Sequence, residues 1–575
     1  MAGISRLAMD DITVAAIDVE IHAMEQSLAT LKSRRNSFCS VNKLPPEIIT
    51  CIFLRLQMRE SSLWLHITHV CRRWRHIALD SPSLWTSISL SQYRPNELAA
   101  FLKRSKCSPL TVSLRASSKT DNQVIVTLLC ENLPRIREIH LIDEDRSWAE
   151  SLDLDTIFST PSPCLEQLDV AFSYKRNLPT FTFGSNYPAL KRLKVDRHPL
   201  QWNPSSIGGL QELVLKDIRA EHQPNLSQMV SILEACPALE MLSLEYSGPT
   251  LKTKEVPQTT RRLYFPHLRK LRVNSSAYAC AALLSHMTVS NATSWEITCD
   301  DDALEPLDIV PRSDHTDLIC KELEISFRGP FTMFEAAVHR AGEKGNHIHT
   351  KLSFHSRFSE DLWFDFYSMT LENTCWSRAD MLTLRLDKSP QHKQSQWSSF
   401  FRSFTHLHTL NICRDDGTFT NDMPFLQFLL DSPQSCVWPN FSNLYLRGFN
   451  NGPDSVFGLQ GPRASKPTGL MKGVRFLADL FQSRHEQHRR LKELELRNCD
   501  GITRQVVIVF RKWVDEVIVH SRGPGETFAD DESSEESEFY DDGDREAGGG
   551  ESSDYANSDE SYDARFPWRR WRSKS

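Results

Sequence analysis

Apolar residues near the N-terminus recur at helical spacing, separated by acidic residues. Steps of three and four connect Val14, Ile17, Ile21, Met24, Leu28 and Leu31. This is the a/d pattern of a coiled coil about two and a half heptads long. It predicts an amphipathic helix over residues 10–38 that either packs against the next domain or pairs with another helix. The shortness of the pattern favours packing against the chain itself.

A second helical pattern lies in "LPPEIITCIFLRLQ" (Leu44–Gln57). Proline is tolerated in the first turn of a helix, and Glu47 places a negative charge at the positive end of the helix dipole. The helix should then carry a wide apolar stripe, formed by Ile48, Ile49, Ile52, Phe53 and Leu56.

The next pattern, "VCRRWRHIALDSPSLWTSI", predicts another helix followed by a short turn. Ser81-Pro82 ends that helix, and Leu84-Trp85 begins the turn. The helix should have a basic side with Arg72, Arg73 and Arg75, and an apolar side with Ile67, Val70, Cys71, Trp74, Ile77 and Ala78. A three-helix unit this small can bury only part of its apolar surface in itself, with Phe53, Ile67 and Ile77 as core candidates. The remainder should contact another chain.

From about Ser108 onward, hexapeptides of the L-x-x-L-x-L kind repeat along the chain. They begin at Ile136, Leu165, Leu190, Leu210, Leu239, Leu268, Cys320, Leu407, Phe441 and Leu491. The first six begin 29, 25, 20, 29 and 29 residues apart, which matches the leucine-rich-repeat period. Helix-like stretches such as Leu226–Leu242 and Met423–Gln434 lie between them. The pattern predicts an irregular α/β solenoid, with insertions at Gly329–Thr383 and Phe449–Gly473.

Side chains alternate between the two faces of a strand, so each hexapeptide predicts its own exposed residues. Leu193 and Val195 should face the core. The opposite, concave face should expose Asp196, Met241, Ser243, Glu245, Asn274, Asn443, Glu493, Glu495 and Arg497, together with the substrate-binding candidates Arg192, Lys194, Lys270, Arg272, Tyr445 and Arg447. The mixed charge of this face suits a protein or peptide better than a nucleic-acid strand.

The net charge is distributed unevenly along the chain. Sixteen acidic residues and one arginine between Glu526 and Asp563 give −15, and five cations between Arg565 and Lys574 give +5. Residues 1–525 therefore carry only +3 of the net −7, which argues against a nucleic-acid platform. The acidic stretch, with Ser533 and Ser534 between acids, should be disordered. The basic end could contact nucleic acid, fold back or direct nuclear import.

The distribution of cysteine predicts a reducing compartment. Fourteen cysteines are scattered singly from Cys39 to Cys499, without a C-x-x-C pair. Disulfide scaffolds and zinc modules both need clustered cysteines. Neither a signal peptide nor a long apolar run is evident, so a soluble protein of the cytoplasm, the nucleus or both is expected.

No catalytic motif stands out in the sequence. P-loop, dinucleotide-binding, zinc-protease and nucleophile-elbow patterns are all missing. His347 and His349 have ligand chemistry, but no second pair at metal spacing accompanies them. We therefore expect a protein that is not an enzyme and uses no cofactor or metal.

Residues 41–90 resemble an F-box in the order of their elements: a Leu-Pro opening, Ile-Phe near the end of helix one, Val-Cys-Arg-Arg-Trp-Arg on helix two and a closing Leu-Trp. F-boxes dock on a Skp-family adaptor and through it on a cullin ubiquitin ligase. By position, the resemblance implies an adaptor-binding surface of Leu44, Pro45, Ile48, Ile49, Ile52, Leu56, Val70, Cys71, Trp74, Leu84 and Trp85.

Most of the chain resembles fungal proteins that combine an F-box with degenerate leucine-rich repeats. The implied α/β architecture has a helix at 10–38, an F-box at 41–90, a solenoid at 106–522 and a tail at 523–575. The implied function is that of a substrate-recognition subunit, whose solenoid binds a target protein. Two alternatives stay open: an interaction scaffold outside any ligase, and a nucleic-acid or chromatin-associated protein acting through the basic C-terminus.

Overall fold

A computed structural model describes the N-terminal helices and most of the following sheet. The described residues are 2–59, 63–90, 95–116, 122–143, 154–172, 187–202, 207–251, 262–300, 308–313, 318–328, 331–340, 348–355, 370–371, 374–386, 394–414, 438–448, 470–499, 502 and 504–520. Several sequence predictions lie outside these residues: the helix at Met423–Gln434, the insertion at Phe449–Gly473 up to residue 469, His347 and the tail from residue 521.

The chain begins with a long helix, α1 (Ala2–Ser37). A helical module follows, which we define as residues 41–90. It contains α2 (Pro46–Arg59), a 3₁₀ helix (Leu63–His69), α3 (Arg72–Asp80) and a 3₁₀ turn (Pro82–Trp85). Strand β1 (Ser87–Leu90) then leads directly into a sheet, pairing in parallel with β2 (Leu110–Ala116).

Successive parallel strands extend the sheet from β2. They are β3 (Ile136–Asp143), β4 (Gln167–Phe172), β5 (Arg192–Asp196), β6 (Glu212–Lys216), β7 (Met241–Glu245), β9 (Lys270–Ser275) and β11 (Ser294–Cys299). Each pairs with the next in this order. Two short strands, β8 (Leu263–Phe265) and β10 (Met287–Val289), form a separate pair.

An antiparallel meander interrupts the parallel order. It consists of β12 (Leu318–Arg328), β13 (Phe331–Arg340) and β14 (Ile348–His355). Because β14 pairs with β11 and β12 pairs with the following strand, β13 runs against its neighbours. The meander accounts for part of the long step between the hexapeptides that begin at Cys320 and Leu407. Parallel order then resumes through β15 (Met381–Leu386), β16 (Thr409–Arg414), β17 (Asn443–Arg447), β18 (Leu491–Arg497) and β19 (Val514–His520). Among the described residues, seventeen strands form this one sheet.

Short helices occupy several of the connections between strands. They are α4 (Pro95–Arg104), α5 (Asn122–Asn132), α6 (Leu154–Ser159), α7 (Leu226–Glu234), α8 (Ala277–Ser285), α9 (Gln394–Arg402), α10 (Leu470–Glu486) and α11 (Arg504–Arg511). The start of α7 shows the sequence logic: Asn225 and Gln228 form a reciprocal capping box, as a helix N-terminus favours. This helix lies within the stretch that the apolar pattern had indicated.

The hexapeptides form the core side of the sheet, as predicted. Each of the ten contributes to a strand, and its three apolar positions are buried. Neighbouring strands are in register, so Leu193 lies beside Leu213 and Val195 beside Leu215. The same two apolar rows continue from β2 to β11.

Five strands end in the same way, with a residue of left-handed backbone conformation directly after the last strand residue. These residues are Arg197, Asp217, Tyr246, Gly448 and Asn498, with φ between 49° and 80°. Each donates its backbone N–H to the last residue of a neighbouring strand, or in one case to the residue before it, over 2.8–3.0 Å. This feature could not be predicted from the residue types, because only one of the five is glycine, the residue that enters this conformation without strain.

Candidate partner-docking surface

The helical module has an aromatic core of its own. Trp64 and Trp85 meet edge to face at 5.1 Å, and Phe53 contacts Trp74 at 5.2 Å. Aromatic pairs at such distances stabilise beyond the area they bury. The core candidates Phe53, Ile67 and Ile77 are buried as predicted, together with Ile49, Trp64, Ala78, Leu84 and Trp85.

The module is joined to the sheet through Trp85. The Trp85 indole donates to the carbonyl of Ala78 at 2.7 Å, while Phe101 and the guanidinium of Arg104, both from α4, cover the ring at 5.1 and 4.3 Å. Leu84 and Ile49 are equally buried. The surface predicted from the resemblance therefore needs correction: these three side chains have almost no surface to offer a partner and instead support the residues that do.

Leu44 and Trp74 are half-buried at the edge of this core. The Leu44 carbonyl accepts a 2.9 Å hydrogen bond from Arg73, which fixes the start of α2 against α3. The Trp74 indole donates to Oδ1 of Asn42 at 2.8 Å. Both side chains are thus positioned by contacts within the chain and keep part of their surface open.

An apolar strip on α2 stays exposed. Ile48, Ile52 and Leu56 are four residues apart, so they lie on one side of the helix, with 47%, 39% and 44% of their surfaces accessible. Pro45 is also exposed at the start of the helix, and Val70 is exposed before α3. We call Ile48, Ile52 and Leu56 the apolar ledge. Apolar residues arranged side by side on a surface mark interaction sites.

The second helix is shorter than its apolar pattern predicted. Cys71 has extended backbone (φ −157°) as the residue before α3, so Ile67 and Val70 lie in the 3₁₀ segment and the turn that precede the helix. The 3₁₀ segment also exposes Leu65, which the sequence had not indicated. A 3₁₀ helix has about three residues per turn. A search for apolar residues at the α-helical spacing of 3.6 therefore does not identify which of its side chains face outward.

Exposed cations outnumber exposed acids on the described part of the helical module. Lys43, Arg55, Arg72 and Arg75 are all exposed on the module, whereas Glu47 and Asp80 are its exposed acids among the described residues. Charged rims of one sign steer association and select partners of opposite charge. The module is therefore suited to a partner with an apolar centre and an acidic rim.

The outward face of the sheet carries the other sequence candidates. Arg192 and Lys194 on β5 are about half exposed and lie within 3.8 Å of Glu138 and 3.7 Å of Asp169, respectively. His140 also contacts Asp169, at 3.5 Å. Exposed pairs of this kind add little stability, so these side chains remain available to exchange partners.

Lys270 and Arg272 lie together at an open cavity of about 230 Å³. Arg272 bridges two carboxylates, Glu296 at 2.8 Å and Glu245 at 3.3 Å, which fixes its guanidinium. Lys351 lies 3.8 Å from the other oxygen of Glu296. The cavity also includes Glu335 and His349. Sequence reasoning missed the contribution of β13 and β14, because the meander that brings them here lies outside the hexapeptide pattern.

Tyr445 and Arg447 form a second polar group, on β17. The Tyr445 hydroxyl donates to Glu493 at 3.3 Å, and Arg447 faces Glu495 at 3.7 Å. Burial raises the pKa of Tyr445, and the nearby Glu493 adds to the effect. Glu495 is itself buried, because Arg497 and His520 also lie 2.7 and 3.6 Å from it. Asp196, paired with Arg197, and Ser243 are likewise buried rather than exposed as predicted.

The remaining candidates for chemistry are weak. Burial raises the pKa of the Cys236 and Cys375 thiols, the latter to about 11, so both stay protonated. Within the described part of the chain, no group of three or more His, Cys, Asp or Glu side chains could hold a metal ion. No helix in the same ranges is long and apolar enough to cross a membrane.

These observations define a protein with a small helical docking module attached to a large, mostly parallel sheet. Comparison with protein families gives the class of the module: residues 41–91 match the F-box-like family. The chain therefore carries an F-box-like domain, and F-box domains generally bind Skp-family adaptors. A search of curated proteins found no match to the chain. At a coarse level, the domain points to a substrate adaptor of the Skp–cullin–F-box type.

Proposed function

We propose that this protein is the substrate-recognition subunit of a Skp-cullin-F-box ubiquitin ligase. The apolar ledge is the observation that carries the proposal. Ile48, Ile52 and Leu56 belong to the matched domain and remain open although Phe53 and Ile49 on the same helix are buried. A side chain that passes from half exposed to buried in an interface gains roughly 1 kcal/mol. The ledge thus favours a partner chain that covers it.

The second half of the proposal concerns the sheet. Its repeated strand ends, apolar rows and 20–29-residue hexapeptide steps support a leucine-rich-repeat-like solenoid, in which each unit contacts its neighbours. The outward face would bind a target protein, with Arg192, Lys194, Lys270, Arg272, Tyr445 and Arg447 as contact candidates. A face of mixed charge suits the selection of one protein surface over others.

In this scheme the chain itself performs no covalent step. The F-box would hold the adaptor and cullin, and the solenoid would hold the target. Ubiquitin transfer is then accelerated because the target lysine and the activated ubiquitin share one scaffold at high effective concentration. A ligase of this kind would act in the cytoplasm, the nucleus or both.

The docking half is tested by measuring affinity for a purified Skp-family adaptor and recovery of cullin. Ile48→Asp with Ile52→Asp places two charges in the interface and should weaken binding by at least about 100-fold. Val19→Asp on α1 introduces the same charge at an exposed apolar position outside the ledge and should leave affinity within about twofold. Equal binding by all three proteins would refute adaptor docking through the ledge.

The target half needs its own experiment. Proteins retained by the full chain would be compared with those retained by a variant carrying Arg192→Glu, Lys194→Glu and Arg447→Glu. A target that binds the outward face should be lost from the variant while the adaptor is retained. Retention of every protein by the variant would refute this assignment of the face.

A further inference from the structure

Helix α1 presents its heptad pattern to solvent. The six apolar residues Val14, Ile17, Ile21, Met24, Leu28 and Leu31 have between 46% and 60% of their surfaces exposed. The helix is fixed to the module at its C-terminal end, where Asn42 donates to the carbonyl of Asn36 at 2.7 Å. The expectation that this helix packs against the next domain is therefore wrong. Its exposed row is a continuous apolar seam without a cover in the described structure.

We propose that this seam pairs with the same seam of a second copy of the chain, in antiparallel orientation. In an antiparallel pair, each a residue meets a d residue of the partner helix. The seam is matched for this arrangement, because Val14 would face Leu31, Ile17 would face Leu28 and Ile21 would face Met24. The twofold symmetry of the pair generates each of these three layers twice. Each chain therefore contributes all six apolar side chains, and no layer is left unfilled.

The order of side-chain shapes supports the antiparallel orientation. The β-branched residues Val14, Ile17 and Ile21 occupy the first half of the seam, and Met24, Leu28 and Leu31, which have no branch at Cβ, occupy the second half. Antiparallel pairing gives every layer one side chain with a branch at Cβ and one without, and hence similar widths. A parallel dimer prefers β-branched residues at a and leucine at d. Val14 and Ile21 at a and Leu31 at d fit that preference, whereas Ile17 at d and Leu28 at a oppose it.

The order of charges supports the same orientation. From Asp10 to Arg35, every acidic residue precedes every basic one. A parallel pair would place Glu20 of one helix beside Glu25 of the other, because these are g and e positions five residues apart. In the antiparallel register, Lys32 instead falls opposite Asp11 of the partner, both at e positions, although Asp18 falls opposite Glu25 nearer the centre. The antiparallel pair therefore gains an opposite-charge pair at each end of the seam, which a parallel pair lacks.

The length of the seam sets the expected strength. Eighteen residues from Val14 to Leu31 cover about 27 Å of helix. Such an interface is short, so a reversible dimer with a dissociation constant on the order of micromolar is expected rather than an obligate one.

The test uses the full chain and measures its mass by sedimentation between about 1 and 100 μM. Dimer should form over this range, and Ile17→Asp with Leu28→Asp should raise the dissociation constant at least about 100-fold. Val19→Asp is the matched control, because Val19 is 71% exposed on the same helix but lies outside the seam. A monomer throughout, or equal weakening by the control, would overturn the proposal.

A second measurement fixes the orientation without disturbing the fold. A chain with Val14→Cys is mixed with a chain carrying Leu31→Cys, oxidised gently, and the linked peptides are identified by mass. Links between positions 14 and 31 are expected. Links between two copies of position 14 would show a parallel pair and overturn the antiparallel arrangement.

Discussion

Trp74 and Asn42 are joined by a hydrogen bond in which the indole Nε1 donates to the amide Oδ1 over 2.8 Å. Asn42 in turn donates to the carbonyl of Asn36, near the end of α1. The ring of Trp74 meanwhile contacts Phe53 at 5.2 Å. A residue assigned to the partner surface by resemblance therefore also connects the core of the module to the N-terminal helix.

Replacing Trp74 should separate these two roles. Trp74→Phe keeps an aromatic ring against Phe53 but removes the donor to Asn42, and should lower the free energy of unfolding by about 1 kcal/mol. Trp74→Ala also loses the packing and should cost about 3 kcal/mol. Chemical denaturation gives both values.

Asn42→Ala supplies the control for this hydrogen bond. In a double-mutant cycle with Trp74→Phe, the two changes should show a coupling of about 1 kcal/mol, because they remove the same bond. Strict additivity would mean that the bond contributes nothing in solution.

Ile48 and Ile49 are adjacent in sequence but should respond oppositely to truncation. Ile49 is 1% exposed, so Ile49→Ala should lower the free energy of unfolding by about 3 kcal/mol. Ile48 is 47% exposed, so Ile48→Ala should cost less than about 1 kcal/mol. If the ledge binds the adaptor, Ile48→Ala should weaken adaptor binding by about tenfold. Thermal unfolding and adaptor affinity, measured on both variants, check the contrast, and equal destabilisation would contradict it.

This contrast also shows how far the sequence could define the site. Helical spacing identified one apolar stripe on α2. It could not separate the buried residues of the stripe from the exposed ones, because the stripe is wide enough to contain both Ile48 and Ile49. The division depends on the aromatic core beneath, and Trp64 in that core comes from a 3₁₀ segment that helical spacing does not detect. The resemblance assigns Trp85 to the partner surface, whereas part of the cover that buries it, Phe101 and Arg104, lies outside residues 41–90.

For the sheet, the sequence was more informative. The alternation of side chains between the two faces of a strand, combined with the repeated L-x-x-L-x-L spacing, predicted ten strands and the buried positions Leu193 and Val195. The sequence could not predict the meander of β12, β13 and β14, since side chains alternate between the two faces in the same way in antiparallel and parallel strands. Nor could it predict that Glu495 is buried, because this depends on Arg447 and His520, which come from the two neighbouring strands.

Arg135 holds α4, α5 and β3 together and should tolerate no substitution well. Its guanidinium donates to the carbonyls of Leu102 and Ser108, to Ser105 Oγ and twice to Asn132 Oδ1, over 2.8–3.2 Å. Arg135→Met should lower the free energy of unfolding by about 3 kcal/mol, because it leaves buried acceptors unpaired. Arg135→Lys should recover only part of this loss, since an ammonium group cannot reproduce the planar fork.

The measurement is equilibrium denaturation of both variants. Arg137→Met provides the control, because Arg137 lies two residues further along the chain but is exposed, and it pairs with Glu166 at the surface. A change of less than about 1 kcal/mol is expected there. Full recovery by Arg135→Lys would show that charge, not geometry, is what the site requires.

His198 should make the stability of the chain depend on pH in the mildly acidic range. It is buried against Phe172, with ring centroids 4.9 Å apart, and its Nδ1 lies 2.8 Å from the carbonyl oxygen of Pro199. Burial lowers the pKa of His198 to about 4, from an ordinary value of 6.5. The unfolded chain therefore takes up a proton at a higher pH than the folded chain does.

The sign of the effect follows from that difference. The contribution of His198 is fully present above about pH 6.5 and is lost as the pH falls towards 4, because protonation then favours the unfolded chain. The total change is roughly 3 kcal/mol, with most of the loss between pH 6 and 4. Denaturation at pH 7, 6 and 5 should show the decline, and His198→Gln should flatten it, since all other titrating groups are shared. A decline of equal slope in the variant would assign the pH dependence to other groups.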